Sequence, residues 1–401
     1  AIVTAHQALS AAVPMFAAVN APGVRVYLID GTYELFRHYF AVPGHAAADG
    51  VEVAAVRGVL ASVIALLREG VTHIGVATDH VVESFRNGLW PGYKTGAGVA
   101  PELLTQFPIL EDALSALGVA VWPMVEYEAD DALAAGALQA AGYAAQVLIC
   151  TPDKDLAQCV VDDHVVQFDR RANRIINADG VVAKFGVPPR SIPDYLALVG
   201  DSADGFPGLR GWGAKSSAAV LSKFIRIEAI PDNPADWGVE VRGAAALAAT
   251  LEDQRDLAML FKDLATLRTS VAVDASGVYV GGFVERTLPG QCATGSYDAV
   301  VRRYTAAGEE VWTRQFTSSS GSAKANGVAV QASSVYVSGE AVGALLGESP
   351  IGGTDAFVVK LAQVVTTPPT ATAQPTATPT RTNTPTATNP PTSTPTPTAT
   401  R

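Results

Sequence analysis

Between Val24 and Cys150 the chain alternates short apolar runs with amphipathic stretches in a repeating order. VRVYLID, a mostly apolar run closing on Asp30 and followed by Gly31, predicts a buried strand with its acid at the carboxyl end. YELFRHYF and VEVAAVRGVLASVIALLREG space their apolar residues three and four apart, which predicts helices, the second stopped by Gly70. THIGVATD repeats the strand-then-acid pattern at Asp79. A third strand, VAVWPM, leads into an alanine-rich helix that begins at EADDA, and a fourth, AQVLIC, runs into TPDKD. Strands and helices in this alternation, β-α-β-α-β-α-β, predict an α/β fold with a parallel sheet.

In such sheets functional groups gather beyond the carboxyl ends of the strands. Asp30, Asp79, Asp153 and Asp155 fall there, as do Glu128, Asp130 and Asp131 of EADDA. Like charges this close repel one another, and a fold keeps them where a cation compensates or solvent screens them. A single strand-end aspartate often does no more than cap the next helix. Their gathering at one edge is what distinguishes a site from a solvated face. Glu128 and Asp131, three apart, share a helix face, while Asp130 points away from them.

The crossover HVVESFRNGLWPGYKTGAGVAPELLTQFP is too long for a simple connection and carries Arg86, Trp90, Tyr93 and Lys94. Cations interleaved with aromatics suit phosphate contact and base stacking; the plain alternative is an exposed loop. Further on, DYLALVGDSADGFPGLRGWGAKSSAAVLS ends a helix at Gly200, places Asp201 and Asp204 three apart, and enters another helix through a glycine-rich turn. Ala214 stands between Gly213 and Lys215 and a helix precedes, so this is not a nucleotide-binding P-loop. Backbone amides of such a turn can instead hold a nucleic-acid phosphate beside Lys215.

Composition changes the picture in three places. With 401 residues and 48% hydrophobic content the chain can bury a full core and divides into two or three domains. A net charge of -11 argues against nucleic acid unless the acids are ligands whose cations cancel it. Cys150, Cys159 and Cys292 show no metal-ligand spacing, and Cys150 and Cys159 read as thiols of a reduced, cytoplasmic domain. The histidines, including His80 beside Asp79, also lack ligand spacing. No run is long enough to span a bilayer.

In order and spacing the motifs LIDG, ATDH followed by SFR and GYK, EADDA, TPDKDLAQ and GDSADGFPGLRGWGAK resemble those of the bacterial 5′ to 3′ exonuclease and flap endonuclease family, over residues 24 to about 270. The resemblance implies a PIN-like parallel sheet with a helical arch and a helical C-terminal helix-turn-helix subdomain. It implies metal ligation by Asp30, Asp79, Glu128, Asp130, Asp131, Asp153, Asp155, Asp201 and Asp204. Arg86 and Lys94 match residues that contact the scissile phosphate; Tyr93 lies beside them, and Gly208, Gly211, Gly213, Lys215 and Ser216 fall in the duplex-binding turn. Two or more Mg²⁺ or Mn²⁺ ions are the implied cofactors, with K⁺ a further candidate at the helix-turn-helix; oxygen ligands favour these hard cations over zinc. The implied partners are DNA 5′ ends and flaps, with RNA primers as an additional class, acted on by a monomer in the cytoplasm. Ala97 and Gly205 stand where the family often has Arg and Asn.

From Val271 the composition shifts to Gly, Ser, Val and Tyr. VAVDASGVYVGG at 271 recurs as VAVQASSVYVSG at 328, and SYDAVVRRY at 296 as GTDAFVVKL at 353, a repeat of about 57 residues within the range of repeat arrays. The strands resemble bacterial β-propeller repeats, of which two are too few to close a ring. Residues 364–401 are nearly all Thr, Pro and Ala, the composition of a disordered tail that suits the cell exterior. The domains expected are therefore an apolar extension (1–23), a catalytic domain (24–185), a helix-turn-helix subdomain (186–270), an all-β repeat segment (271–363) and the tail (364–401). The extension ends like a signal peptide but has no basic start, and reads as a fragment edge or appended sequence. A competing reading makes the chain a surface or secreted propeller interaction protein with the nuclease portion incidental.

Overall fold

The computed structural model describes residues 23–269 and, with short breaks at 275–276, 286–287, 289–295, 306–307, 317, 319–320, 332–333 and 344–352, residues 271–362. The expectations for residues 1–22, and for the tail at 364–401, lie outside the described residues.

The first strand-acid-glycine unit folds as the pattern predicts: β1 (Arg25–Asp30) passes directly into α1 (Gly31–Ala41). Asp30 caps that helix, accepting from the Tyr33 amide at 2.8 Å. Gly31 is required because a Cβ there would lie 2.8 Å from the Ala77 carbonyl oxygen of the neighbouring strand. Then follow α2 (Ala54–Arg68), β2 (His73–Asp79), the single-turn helices α3 (Arg86–Leu89) and α4 (Pro101–Leu104), α5 (Gln106–Ala116), β3 (Ala120–Met124), α6 (Ala129–Ala141) and β4 (Gln146–Cys150). Two further strands, β5 (Val165–Asp169) and β6 (Arg174–Ile176), extend the sheet to six in the order β3-β2-β1-β4-β5-β6. All neighbours are parallel except the last pair. The order reverses between β1 and β4, so the carboxyl ends of those strands frame a crevice.

Alternation along β1 divides the core. Ile29 faces α1, α2 and α5 with Leu35, Val59, Val63, Phe107 and Leu110. Val26 and Leu28 face α6, whose alanines 132, 134, 135 and 137 let it lie close to Trp122. Small side chains here bring the acidic N-terminus of α6 down onto the sheet edge.

The helical subdomain comprises α7 (Ala178–Phe185), α8 (Ile192–Val199), α9 (Ala214–Phe224), α10 (Ala244–Asp253) and α11 (Arg255–Ala265), around Leu196, Trp212, Trp237 and Phe261. The crossover folds down onto it. Trp90 packs edge-on against Phe261 at 5.1 Å and donates its indole N–H to the Gly205 carbonyl at 3.1 Å.

Beyond it, β7 (Val271–Asp274), β8 (Gly277–Val284), β9 (Asp298–Tyr304) and β10 (Glu310–Phe316) form an antiparallel meander, and β11 (Ala323–Gln331), β12 (Ser334–Ala341) and β13 (Asp355–Ala362) form a second. The repeat is visible in the hairpins: Asp274 pairs Gly277 as Gln331 pairs Ser334. The propeller expectation is corrected. The two sheets close on one another through Tyr279, Val301, Val335 and Val337, and need no ring of blades. The first sheet also enters the core of the α/β domain, where Val278, Val280 and Tyr304 join the α6 cluster. Tyr127 donates to the Gly281 carbonyl at 3.1 Å, and Arg302 pairs with Glu126.

Candidate metal and phosphate site at the carboxyl edge

Each acid arrives at the sheet edge by its place in the fold. Asp30 ends β1 and Asp79 ends β2; Glu128 is the N-cap of α6 with Asp130 in its first turn; Asp153 and Asp155 follow β4; Asp201 and Asp204 follow α8. Asp155, Asp201 and Asp204, all buried, offer oxygens within 4.8 Å of one another. Oδ1 of Asp155 is buried without a hydrogen-bond donor. An unpaired carboxylate oxygen among two other carboxylates is what an oxygen-ligated divalent cation fits.

Electrostatics agree. Burial pushes Asp30 up to about 7, opposed by its bond from the Tyr33 amide and reinforced by the charges of Asp79 and Asp153. Burial likewise lifts Asp79 to about 6, against the pull of Lys94. Asp130 and Asp155 rise well above the carboxylate range, from burial first and from Asp153 next. Burial thus favours protons on these acids, which a bound cation would replace.

Lys94 spans the acids, its Nζ 3.0 Å from Oε2 of Glu128 and 3.1 Å from Oδ1 of Asp204. Burial alone would lower it, yet the charges of Glu128 and Asp204 hold its ammonium far above the ordinary value. Burial would raise Glu128, but Lys94 and Arg86 hold it below the usual range. Gly205, at φ +83, permits the turn that seats Lys94: a Cβ there would stand 2.0 Å from the Gly92 carbonyl oxygen, and the Lys94 amide donates to the Asp204 carbonyl at 3.0 Å. Asparagine tolerates this left-handed region but would bring that Cβ, so glycine at this family asparagine position goes with the close approach of Gly92.

Three expected residues are placed differently. Arg86 is 1% exposed, donating to both oxygens of Asp131 at 2.8 Å and to the carbonyls of Leu264 and Thr266, so its guanidinium faces inward rather than toward a phosphate. Asp131 accepts in addition from the amides of Glu128 and Arg268 and is fully buried, so its oxygens are already engaged. Tyr93, 4% exposed, lies in the helical core with its hydroxyl 3.2 Å from Oε2 of Glu128, away from any stacking surface. The structure brings the other eight acids to one edge, with Asp153 exposed and its Oδ1 accepting from the Asp155 amide at 2.9 Å.

In the helix-turn-helix, Gly208 is buried, Gly211 and Lys215 are exposed, Gly213 caps α9, and the Ser216 hydroxyl closes on the Gly213 backbone at 3.0 Å. Residues not singled out beforehand include Thr151, which donates to Oδ2 of Asp30 at 2.9 Å, and Lys154, which pairs with Asp201 at 2.7 Å. Lys154 stands between two acids in TPDKD, a signal present in the sequence; Thr151 had none.

A parallel α/β sheet with its acids gathered at the carboxyl edge, continued by a helical subdomain, defines a nuclease-type domain with a carboxylate centre. A family model for the 5′-3′ exonuclease N-terminal resolvase-like domain matches residues 25–186, and one for the 5′-3′ exonuclease C-terminal SAM fold matches residues 187–278. A 5′-3′ exonuclease of Aquifex aeolicus is 33% identical over 210 residues, 52% of this chain and 72% of that protein. The chain belongs to the 5′-3′ exonuclease family.

DNA polymerase I of Pseudomonas aeruginosa is 32% identical over 274 residues, 66% of this chain but 28% of that protein. The chain thus spans little more than a quarter of the length of the polymerase relatives it matches. Among solved structures, the T5 D15 protein co-crystallised with metal ions is similar at a TM-score of 0.49 and 20% identity, over 61% of this chain and 89% of that one. No helix among the described residues is long and apolar enough to cross a membrane.

Proposed function

We propose that the chain hydrolyses DNA phosphodiester bonds at 5′ ends and flaps, with Mg²⁺ or Mn²⁺ held by the carboxyl-edge acids. The observation that carries this is the buried Asp155–Asp201–Asp204 cluster, oxygens within 4.8 Å, facing a lysine held by Glu128 and Asp204. Asp155, Asp201 and Asp204 would hold one ion, and Asp30, Asp79 and Asp130 are the acids available to a second. When bound, such ions supply Lewis acidity toward a phosphoryl oxygen and ease deprotonation of water.

The chain's own residues do the rest. Lys94 keeps a proton and a fixed position, and so presents preorganised positive charge to a phosphate entering the edge. Arg86 holds Asp131, and through it the N-terminus of α6 that carries Glu128 and Asp130. Gly211 and Lys215 offer an amide and an ammonium to duplex phosphates, a sequence-independent contact, while the Gly213 amide is held by Ser216. The same reading carries a cytoplasmic monomer, RNA primers as a second substrate class, and K⁺ at the helix-turn-helix. The surface-interaction alternative is not favoured, since the family match and the acidic centre occupy the chain up to the repeat segment.

The test is hydrolysis of 5′-flap, nicked and recessed DNA by the full chain, with and without added Mg²⁺ or Mn²⁺. Metal-dependent release of 5′ products is expected, reduced by about tenfold or more in Asp155→Asn, a change on the order of 1.4 kcal/mol in barrier or binding. No hydrolysis with either metal, or undiminished hydrolysis in Asp155→Asn plus Asp201→Asn, would refute the reading.

A further inference from the structure

One pocket at the same edge is basic and lies beside the acidic centre without belonging to it. It opens between α1, the residues after β4, and the turn from β5 to β6, and is lined by Tyr33, Arg37, Thr151, Arg170 and Arg171 together with Glu34 and Asp169. Three arginines and two acidic residues thus line it, on an edge otherwise dominated by acids.

The cations are incompletely satisfied. Glu34, 2% exposed, is shared: it pairs with Arg37 through one oxygen and lies 3.7 Å from Nη1 of Arg170 through the other. Nε of Arg37 and Nη1 of Arg170 are buried without a hydrogen-bond acceptor. Asp169 is 3.8 Å from Arg174 and accepts from the Ala172 amide, so it is committed elsewhere. Arg171 is exposed at the rim. Burial raises the Tyr33 phenol, while the charges of Arg37 and Arg171 pull it down and those of Glu34 and Asp169 push it up.

The pocket is tied to the centre through one wall. Thr151 lines it and donates to Asp30, and Tyr33 lines it and donates its amide to the same carboxylate. A ligand here would sit one side chain away from the acids. Guanidinium forks match phosphate oxygens in geometry and charge, and unpaired buried donors gain most from such an acceptor.

We infer that Arg37, Arg170 and Arg171, with the Tyr33 hydroxyl, form an anion pocket for a phosphate group of the nucleic-acid strand that flanks the cleaved bond. This rests on the nuclease reading, to which it adds the direction of the strand: from Lys94 across the acids and past Asp30 toward the β5–β6 turn. The phosphate has two sources of the same chemistry, a 5′-terminal monoester or an internal diester.

The experiment measures equilibrium binding of the full chain to single-stranded and 5′-flap DNA oligonucleotides, without divalent metal, over a range of NaCl. Each strand carries either a 5′ phosphate or a 5′ hydroxyl. Arg171→Ala, at an exposed position, and Arg170→Gln are compared with wild type and with the conservative Arg171→Lys. Each lost contact is expected to make the slope of log K against log salt shallower by about 0.7 on single strands, with Arg171→Lys restoring it. An effect confined to 5′-phosphorylated strands assigns the terminal monoester; an equal effect on both assigns the internal diester. Unchanged affinity and slope in Arg171→Ala and Arg170→Gln, with wild type binding normally, would overturn the pocket alone. Wild type that binds neither DNA under these conditions would also overturn the pocket, while metal-dependent hydrolysis by the same protein decides the nuclease reading separately.

Discussion

The guanidinium of Arg86 lies against Asp131 with two hydrogen bonds of 2.8 Å, at the point where the crossover, the start of α6 and the end of α11 meet. The Leu264 and Thr266 carbonyls accept from the same guanidinium, and the Arg268 amide donates to the same carboxylate. One buried pair therefore joins the catalytic sheet to the helical subdomain.

Removing one partner of a buried pair leaves the other charge uncompensated, which costs about 3–5 kcal/mol. Arg86→Gln is expected to lower stability to denaturant by that amount and to weaken metal binding indirectly, since Asp131 and with it the N-terminus of α6 that carries Glu128 and Asp130 lose their anchor. Urea unfolding of the metal-free protein reads the first effect and calorimetric Mn²⁺ titration the second. A variant with wild-type stability that had lost only turnover would return Arg86 to direct phosphate contact.

The raised acids predict a pH dependence with a definite sign. Asp30 goes from 3.8 to about 7 and Asp79 to about 6 in the fold. Between about pH 4 and 7 the folded state keeps protons that the unfolded chain has released, so stability falls as pH rises through that window and stays low above it. Divalent cations replace those protons and stabilise most where the acids are ionised; at 100 times Kd the gain is about 2.7 kcal/mol. Metal-free protein should thus unfold at lower urea at pH 8 than at pH 5, with Mg²⁺ raising the midpoint chiefly at pH 8. Equal midpoints at both pH values without metal would contradict the assignment.

What the sequence disclosed follows from this chemistry. Strand-then-acid units and the EADDA spacing declare themselves because period and charge are properties of the chain alone, and eight of nine acids do meet at one edge. Inward or outward aim is not such a property. Arg86 and Tyr93 sit in a Gly- and Pro-rich crossover that reads as exposed, yet Trp90 packing on Phe261 carries both inside. β5 and β6 were equally silent: one is five residues and the other three, below the length at which alternation separates strand from loop. The basic pocket escaped because Tyr33 and Arg37 are distant in sequence from Arg170 and Arg171.

Lys94 is the cation expected to act on the scissile phosphate. Lys94→Ala should reduce kcat by about 10²–10³, the usual consequence of losing one preorganised donor, with a smaller change in KM. It also leaves Glu128 and Asp204 without the ammonium at 3.0 and 3.1 Å, so the metal-free variant should unfold more readily at pH 8 than wild type. Single-turnover rates and urea unfolding separate the two. A rise in KM alone would make Lys94 a ground-state binding residue.

The repeat segment gives the last prediction, because its first sheet is part of the nuclease core. Helix α6 is buried on nearly every side, from Ala132 through Ala137, and a helix so enclosed needs a cover on the face away from the sheet. Val278, Val280 and Tyr304 supply it together with Leu267. Each buried valine contributes about 1.5–3 kcal/mol, whereas the partly exposed Arg302–Glu126 pair contributes about 0–1 kcal/mol, so the joint is held by apolar contact. A chain ending at residue 270 should therefore unfold at lower temperature and bind a hydrophobic dye, while Arg302→Ala should change little. Because Glu126 and Tyr127 at this joint adjoin Glu128, the truncation should also weaken Mn²⁺ binding at the edge. A truncated chain with the stability and Mn²⁺ affinity of the full chain would show that the segment merely follows the nuclease rather than completing it.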